Sequence, residues 1–266
     1  MTALRLVTIL LLLGVRPALG QIAVQSALAY DFDAAPGGIY EGEILVENSG
    51  DRAEEARVYA RDYLFFADGS NEYGEPGSGA RSNADWVTFA PDRFTVPARG
   101  SRVVQFSVRV PADLNEAIGS FWSLVMIEGL GADAPETAPS GTDTEVGFRQ
   151  VTRYGVQIAT HFPGGEPLPN IDAPSLTRDP DGTPVFSVDV ANEGTSMFRP
   201  EVHLRLFAVD GTEFGTVEGT PYRLYPGTSV RQRLELPELE PRQYQALLIL
   251  DGGGEHLFGA QYDLSL

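Results

Sequence analysis

The side chains able to do chemistry are few and far apart. There are three histidines, His161, His203 and His256, and no cysteine. Each histidine falls on a separate predicted strand, with no His-x-x-x-His pair and no carboxylate–histidine spacing that would hold zinc. No thiol nucleophile exists, and no Gly-x-Ser-x-Gly turn offers a serine one. Adjacent carboxylates such as Glu54-Glu55 are common, but with 37 acidic residues in the chain such pairs are expected and usually solvated. Asp179-Pro180-Asp181-Gly182 and Asp251-Gly252-Gly253-Gly254-Glu255 could bind Ca²⁺ weakly through loop oxygens. Neither has the alternating ligand array of an EF-hand, and both read better as hairpin turns. Gly252, Gly253 and Gly254 open no helix, so a phosphate cradle is not expected. Trp86 and Trp122 read as packing residues of a β core; an exposed pair would instead make a carbohydrate- or protein-binding patch. The expectation is a non-enzyme with no cofactor and no metal. A hydrolase would need a catalytic cluster that only folding could assemble.

The elements around these residues are exported ones. Arg5 precedes an apolar run at residues 6–15, and Ala18-Leu19-Gly20 forms a small-x-small cleavage site. The run is about ten residues, too short to cross ~30 Å of hydrocarbon. Residues 1–20 are therefore expected to be a signal peptide, with the mature chain beginning near Gln21 and working outside the cytoplasm. With no cysteine, neither a lipoprotein anchor nor a disulfide is expected. All 19 basic residues are Arg, and the mature chain carries 17 of them against 37 acidic residues, a formal charge of −20. Such a surface excludes nucleic acid and disfavours anionic membrane. A high-salt habitat and a genome that writes Arg for Lys both account for this composition, and neither identifies a function.

The mature sequence runs in short alternating or apolar segments broken every 8 to 12 residues by Gly, Pro, Asn or Asp, the pattern of a β-sandwich. Residues 53–56 are the only stretch compatible with a turn of helix. The halves repeat. Val46-Glu47-Asn48-Ser49-Gly50 matches Val190-Ala191-Asn192-Glu193-Gly194, two turns in which Asn and Gly tolerate positive φ. Pro97-Ala98-Arg99-Gly100-Ser101 leads into Val104, Phe106 and Val108 as Pro226-Gly227-Thr228-Ser229 leads into Val230 and Leu234. The expectation is all-β, two tandem immunoglobulin-like sandwiches with the same strand order, over residues 21–163 and 168–266. The linker is Pro163-Gly164-Gly165-Glu166-Pro167. Tyr244, after Leu239-Glu240-Pro241-Arg242-Gln243, stands where a tyrosine corner sends its hydroxyl back to upstream backbone; an ordinary core tyrosine is the other reading. Two polar segments, residues 67–85 (opening on an Asp68-Gly69 turn) and residues 129–145, do not fit compact sandwich loops.

From Trp86-Val87-Thr88-Phe89-Ala90-Pro91, through Phe94-Thr95-Val96-Pro97 and the strand at 103–110, to Gly119-Ser120-Phe121-Trp122, the first half resembles the PapD-like periplasmic pilus-assembly chaperones. A long loop and a final alternating strand follow, as in that family. The resemblance implies donor-strand complementation, in which the last strand lends alternating apolar side chains to an incomplete subunit sandwich. Val146, Phe148, Tyr154, Val156, Ile158 and Phe162 share one parity, and Arg149, Arg153, Gln157 and His161 the other. The apolar parity equally suits the domain's own core. The family also holds a client carboxylate with two basic residues, one on the first strand and one on the last. Here the first strand, about residues 23–32, has no Arg, and the position aligned with the second anchor is Gln157; Arg149 or Arg153 could substitute.

The candidate partner-binding residues are thus Val146, Phe148, Arg149, Arg153 and Tyr154. The leading expectation is a periplasmic chaperone-like protein that binds an exported surface-structure subunit through edge-strand contacts. The alternative is a structural or adhesive module of the bacterial cell surface without a client, since Ig-like domains of surface proteins share the same pattern. Either way the partner is a protein, and no membrane insertion of the mature chain is expected.

Overall fold

The computed structural model describes residues 22–130, 151–240 and 242–265. It is all-β: four sheets form two face-to-face sandwiches. In the first sandwich one sheet runs β1 (Ile22–Val24), β3 (Ile39–Asn48), β8 (Gly100–Arg109), β6 (Val87–Ala90), in that order. The facing sheet runs β2 (Ala29–Asp33), β10 (Arg153–Phe162), β9 (Gly119–Gly129), β4 (Glu54–Phe65). Beyond β4, two short strands share its far side, β5 (Asn71–Gly74) and β7 (Arg93–Val96). In the second sandwich β11 (Pro169–Arg178), β12 (Pro184–Asn192) and β15 (Ser229–Glu235) face β14 (Glu213–Glu218), β13 (Glu201–Ala208), β16 (Gln243–Asp251) and β17 (Leu257–Ser265). The order β10-β9-β4 recurs as β17-β16-β13, and β3-β8 as β12-β15, so the repeat read in the sequence is a repeat of topology.

Alternation decides which side chains go inside. Ile44 and Val46, Val104, Phe106 and Val108 point from one sheet onto Val125, Ile127, Val156 and Ile158 of the other. Phe186, Val188, Leu204, Leu206, Leu234 and Leu248 do the same in the second half. Each such burial stabilises by roughly 1.5–3 kcal/mol.

Several expectations change. The first strand is two strands in opposite sheets: β1 pairs antiparallel with β3, then the chain crosses the sandwich edge and β2 pairs parallel with β10. Residues 53–56 do not form a helical turn, because β4 begins at Glu54; the helical element among the described residues is a 3₁₀ turn at Ala84–Trp86. His256 lies in the turn between β16 and β17, not on a strand.

The repeated Asn-x-Gly turns work differently from the expectation. None of Asn48, Gly50, Asn192 and Gly194 has positive φ. Each asparagine is instead fully buried as a hydrogen-bonding hub. Asn48 donates through Nδ2 to the Arg52 and Val96 carbonyls, and its Oδ1 accepts from Gly50 N–H. Asn192 donates to the Ser196 and Leu224 carbonyls and accepts from Gly194 and Leu168 N–H. Gly194 is required by close approach: a Cβ there would stand 2.3 Å from the Glu166 carbonyl oxygen.

The tyrosine corner is present, with Tyr244 buried and its hydroxyl donating to the Glu240 carbonyl at 2.9 Å. The polar segment after β4 is also built. Gly69 takes the left-handed turn (φ 86°) that starts β5. Buried Asp62 then gathers the following loop, accepting from Gly77 and Gly79 N–H and from the Ser78 and Ser82 hydroxyls.

Candidate functional site

β10 is covered unevenly. β9 pairs with it over residues 153–162, but β2 pairs only with residues 157–161. In a strand, successive residues turn their backbone groups to opposite sides. Gln157 N–H donates to the Leu28 carbonyl on the β2 side, while Thr152 carbonyl accepts from Gly129 N–H on the β9 side. By that alternation Arg153 and Gly155 direct N–H and C=O toward the side that no strand covers among the described residues. Leu28 (50 % exposed) and Val151 (38 % exposed) flank this open segment. The segment exists because residues 25–28 leave the sheet to connect β2 to β1.

The side chains of β10 answer the parity question. Val156, Ile158 and Phe162 are buried in the first sandwich's own cores, and half-buried Tyr154 packs against the same core. Arg153 turns to the outer face and ion-pairs with Glu128 at 3.0 Å. Glu128, buried on that face, also accepts from Arg57 and from the Tyr59 hydroxyl, each at 2.9 Å. Burial acts to raise the Glu128 carboxyl, but the bonds from Arg153, Arg57 and Tyr59 outweigh it and hold the group below its ordinary range. Arg153 therefore already has a carboxylate. Val146, Phe148, Arg149 and most of the 129–145 segment lie outside the described residues.

Lower on β10 the strand meets the second sandwich. Gln157 stands beside Ala29 in register and accepts from the Tyr225 hydroxyl at 3.3 Å. The cation in this cleft comes from the second half: Arg223 forks onto Asp31 of β2 with two bonds of 2.6 Å. His161 Nε2 lies 3.1 Å from the same carboxylate, and His161 Nδ1 lies 2.8 Å from Ser120 Oγ. Burial would raise Asp31, yet the bonds from His161 and Arg223 override it and hold the carboxyl well below the usual range. A neighbouring depression of about 460 Å³ is lined by Tyr63, Tyr222 and exposed Arg199, a guanidinium with no hydrogen-bond or ion-pair partner among the described residues.

Ser120, His161 and Asp31 thus have the residue types of a hydrolytic triad, drawn from positions 41 and 130 apart in sequence. No local spacing could have signalled them. Their arrangement is structural. The Asp31 carboxylate is occupied bidentately by Arg223, and Ser120 is 1 % exposed. Ser120 Oγ also accepts from Met197 N–H at 2.7 Å, so it serves as a strut between the sandwiches. The strut is continued by Ser120 N–H to the Thr195 carbonyl. This approach requires Gly119: it has φ 74°, and a Cβ there would lie 1.9 Å from Thr195 O.

Both tryptophans pack. Trp86 is half-buried against Phe121 and Phe162 in the first sandwich. Trp122 is buried against the second, where it stacks on Tyr225. Among the described residues no group of three or more His, Asp or Glu could hold a metal ion, and no helix is long and apolar enough to cross a membrane.

No protein-family model matches the chain, and no curated protein does. Solved structures are similar to it over most of its length. One, titled as a chaperone–tip adhesin complex in CFA/I fimbriae biogenesis, is 10 % identical, covers 91 % of this chain and 97 % of its own, and has a TM-score of 0.47. The class 5 fimbriae chaperone CfaA is 11 % identical over 90 % of this chain and 98 % of its own, with a TM-score of 0.45. The E. coli chaperone DraB is 12 % identical over 92 % and 96 %, with a TM-score of 0.41.

Proposed function

We propose that this chain is a periplasmic, non-enzymatic chaperone-like protein that binds an exported surface-structure subunit through edge-strand contacts. The observation that carries the reading is the open side of β10 at Arg153 and Gly155, still bonded to β9 on its other side. An extended client segment would add there as a strand, with main-chain bonds giving affinity and alternate side chains giving specificity. In this reading residues 21–163 form the client-binding sandwich and residues 168–266 a second one that closes the cleft. Val146 and Phe148 supply apolar contacts, with Tyr154 behind them. Arg153, its guanidinium held by Glu128, contributes backbone. A client carboxylate falls to Arg149 or to the unpartnered Arg199, since the position aligned with the family anchor is Gln157.

The test is titration of co-exported subunits, and of strand peptides derived from them, into the mature protein and a Gly155→Pro variant. The proline removes an N–H that faces the open side, so the β9 ladder and the melting temperature are expected to hold while affinity falls at least about tenfold. Equal binding by the variant, or no binding of any co-exported subunit by the native protein, would sink the proposal.

A further inference from the structure

A second opening lies at the far end of the same sheet. β4 is bonded to β9 along one side. On its other side it pairs with β7 over residues 54–57 and with β5 over residues 62–65. Val58 N–H donates to the Asp92 carbonyl, and Phe66 N–H to the Ser70 carbonyl, both on this outer side. The same alternation turns the N–H and C=O of Ala60 outward into the gap between β5 and β7, where no strand among the described residues covers them. Inward, Ala60 and Phe89 are only half-buried, so the mouth of the sandwich offers a small apolar seat.

The charge at this gap is unlike the rest of the molecule. A groove of about 1290 Å³ passes over it and gathers Arg57, Arg61, Arg93 and Arg153 against the lining carboxylates Glu75 and Asp92, with Glu128 bonded to Arg57 and Arg153. In a chain of formal charge −18 that is a local excess of positive charge. Arg57 and Arg93 stand directly opposite each other in the β4–β7 ladder, a like-charge pairing that disfavours the sheet unless an anion intervenes. Arg57 shares its one carboxylate with Arg153, and Arg93 has no ion-pair partner among the described residues. The remaining pair, Arg61 with Glu75, uses an 82 % exposed glutamate, a contact that an incoming carboxylate exchanges at little cost.

We infer that the gap between β5 and β7 is a second strand-acceptor site, and that its occupant is an extended protein segment of alternating apolar and acidic residues. Its backbone bonds to Ala60, its apolar side chains sit on Ala60 and Phe89, and its carboxylates reach Arg57, Arg61 and Arg93. The gap lies on β4, and the open side of β10 lies across the same groove, which Arg153 and Gly155 also line; the backbone groups differ, and the inference does not depend on the client reading.

The experiment uses a soluble decapeptide of alternating valine and glutamate, a lysine counterpart, and amide exchange by NMR on the mature protein. The glutamate peptide is expected to bind, more weakly as salt rises, and to protect the Ala60 amide. The lysine peptide is expected not to bind. Arg93→Glu is expected to weaken binding about tenfold while leaving the melting temperature equal or higher, because it removes a like-charge pair. Equal affinity for both peptides, protection at Gly155 in place of Ala60, or a concentration-dependent dimer that protects Ala60 without peptide would each overturn the inference.

Discussion

Trp122 of the first sandwich and Tyr225 of the second lie ring on ring, with centroids 4.6 Å apart and planes 17° from parallel. Trp122 Nε1 also donates to the Tyr63 carbonyl at 2.9 Å, so its one polar group is satisfied. Around the pair, Ala159, Leu64, Phe65 and Met197 complete an apolar cluster between the halves. This contact holds the sandwiches together with the Ser120 strut and the Asp31–Arg223 fork, and so shapes the cleft beside β10.

Trp122→Ala is expected to cost about 3–5 kcal/mol and to split thermal unfolding into two transitions by calorimetry, one for each sandwich. Tyr225→Phe keeps the stack and loses the 3.3 Å bond to Gln157 and the hydroxyl's contact with Arg223, so it is expected to cost about 1 kcal/mol. Burial pushes the Tyr225 hydroxyl up to about 12. Folding therefore favours the protonated phenol, and stability is expected to fall as pH rises from ~10, the unfolded value, through that folded value. Tyr225→Phe should reduce this alkaline loss, leaving the part contributed by Tyr59, Tyr63 and Tyr262, whose hydroxyls burial also raises.

The Asp31–Arg223 fork gives the opposite sign. The Asp31 carboxyl is depressed in the folded protein, so its contribution is present above the unfolded value of ~3.9 and is lost as pH falls below it. Stability by urea denaturation is expected to fall progressively as pH is lowered from ~3.9 toward the depressed folded value, with loosening of the cleft, reported by tryptophan fluorescence, only at the bottom of that range. In Asp31→Asn that acid response should shrink. Arg223→Ala should reproduce the loosening at neutral pH, at a cost of about 1–2 kcal/mol for a pair that is only partly buried.

Asn48 and Asn192 are expected to be equivalent by mutation. Replacing either with Ala strands two carbonyls, together with one amide N–H at Asn48 and two at Asn192, at about 2–3 kcal/mol each by urea denaturation. Asp is expected to be no rescue at either site, because a carboxylate oxygen would replace Nδ2 against two carbonyl oxygens.

Asp62→Ala is expected to release the loop at residues 75–82 from its four bonds while leaving the sandwich cores intact. Limited proteolysis with trypsin reports it directly. Cleavage after Arg81, whose guanidinium is held on the Ile118 carbonyl and over the Phe121 ring, should appear in the variant and not in the native protein.

Much of this architecture was legible in the residues. Alternating apolar positions such as Val104, Phe106 and Val108 mark one face of a strand whatever its neighbours are, because the side-chain period of a strand is two. The repeated Asn-x-Gly turns announced a doubled domain, although their mechanism was misread: burial of the amide, not positive φ, is what asparagine supplies. The apolar parity of β10 allowed two destinations, its own core and a partner. Val156 and Ile158 went to the core.

By itself, then, the sequence determined what depends on local period and residue type: the strands, the doubling, the tyrosine corner and the lack of a metal-ligand motif. Only the tertiary structure decided where sheet edges lie open, because an edge is defined by which distant strand stops short. β2 ends its cover of β10 at Gln157, and β5 and β7 leave Ala60 between them. It alone also brought Asp31 to Arg223, 192 positions away, and so revealed that the cleft's cation is supplied by the second sandwich and already engaged. Hydrogen bonds and ion pairs act within a few ångströms and are blind to sequence distance, so spacing along the chain carried no trace of them.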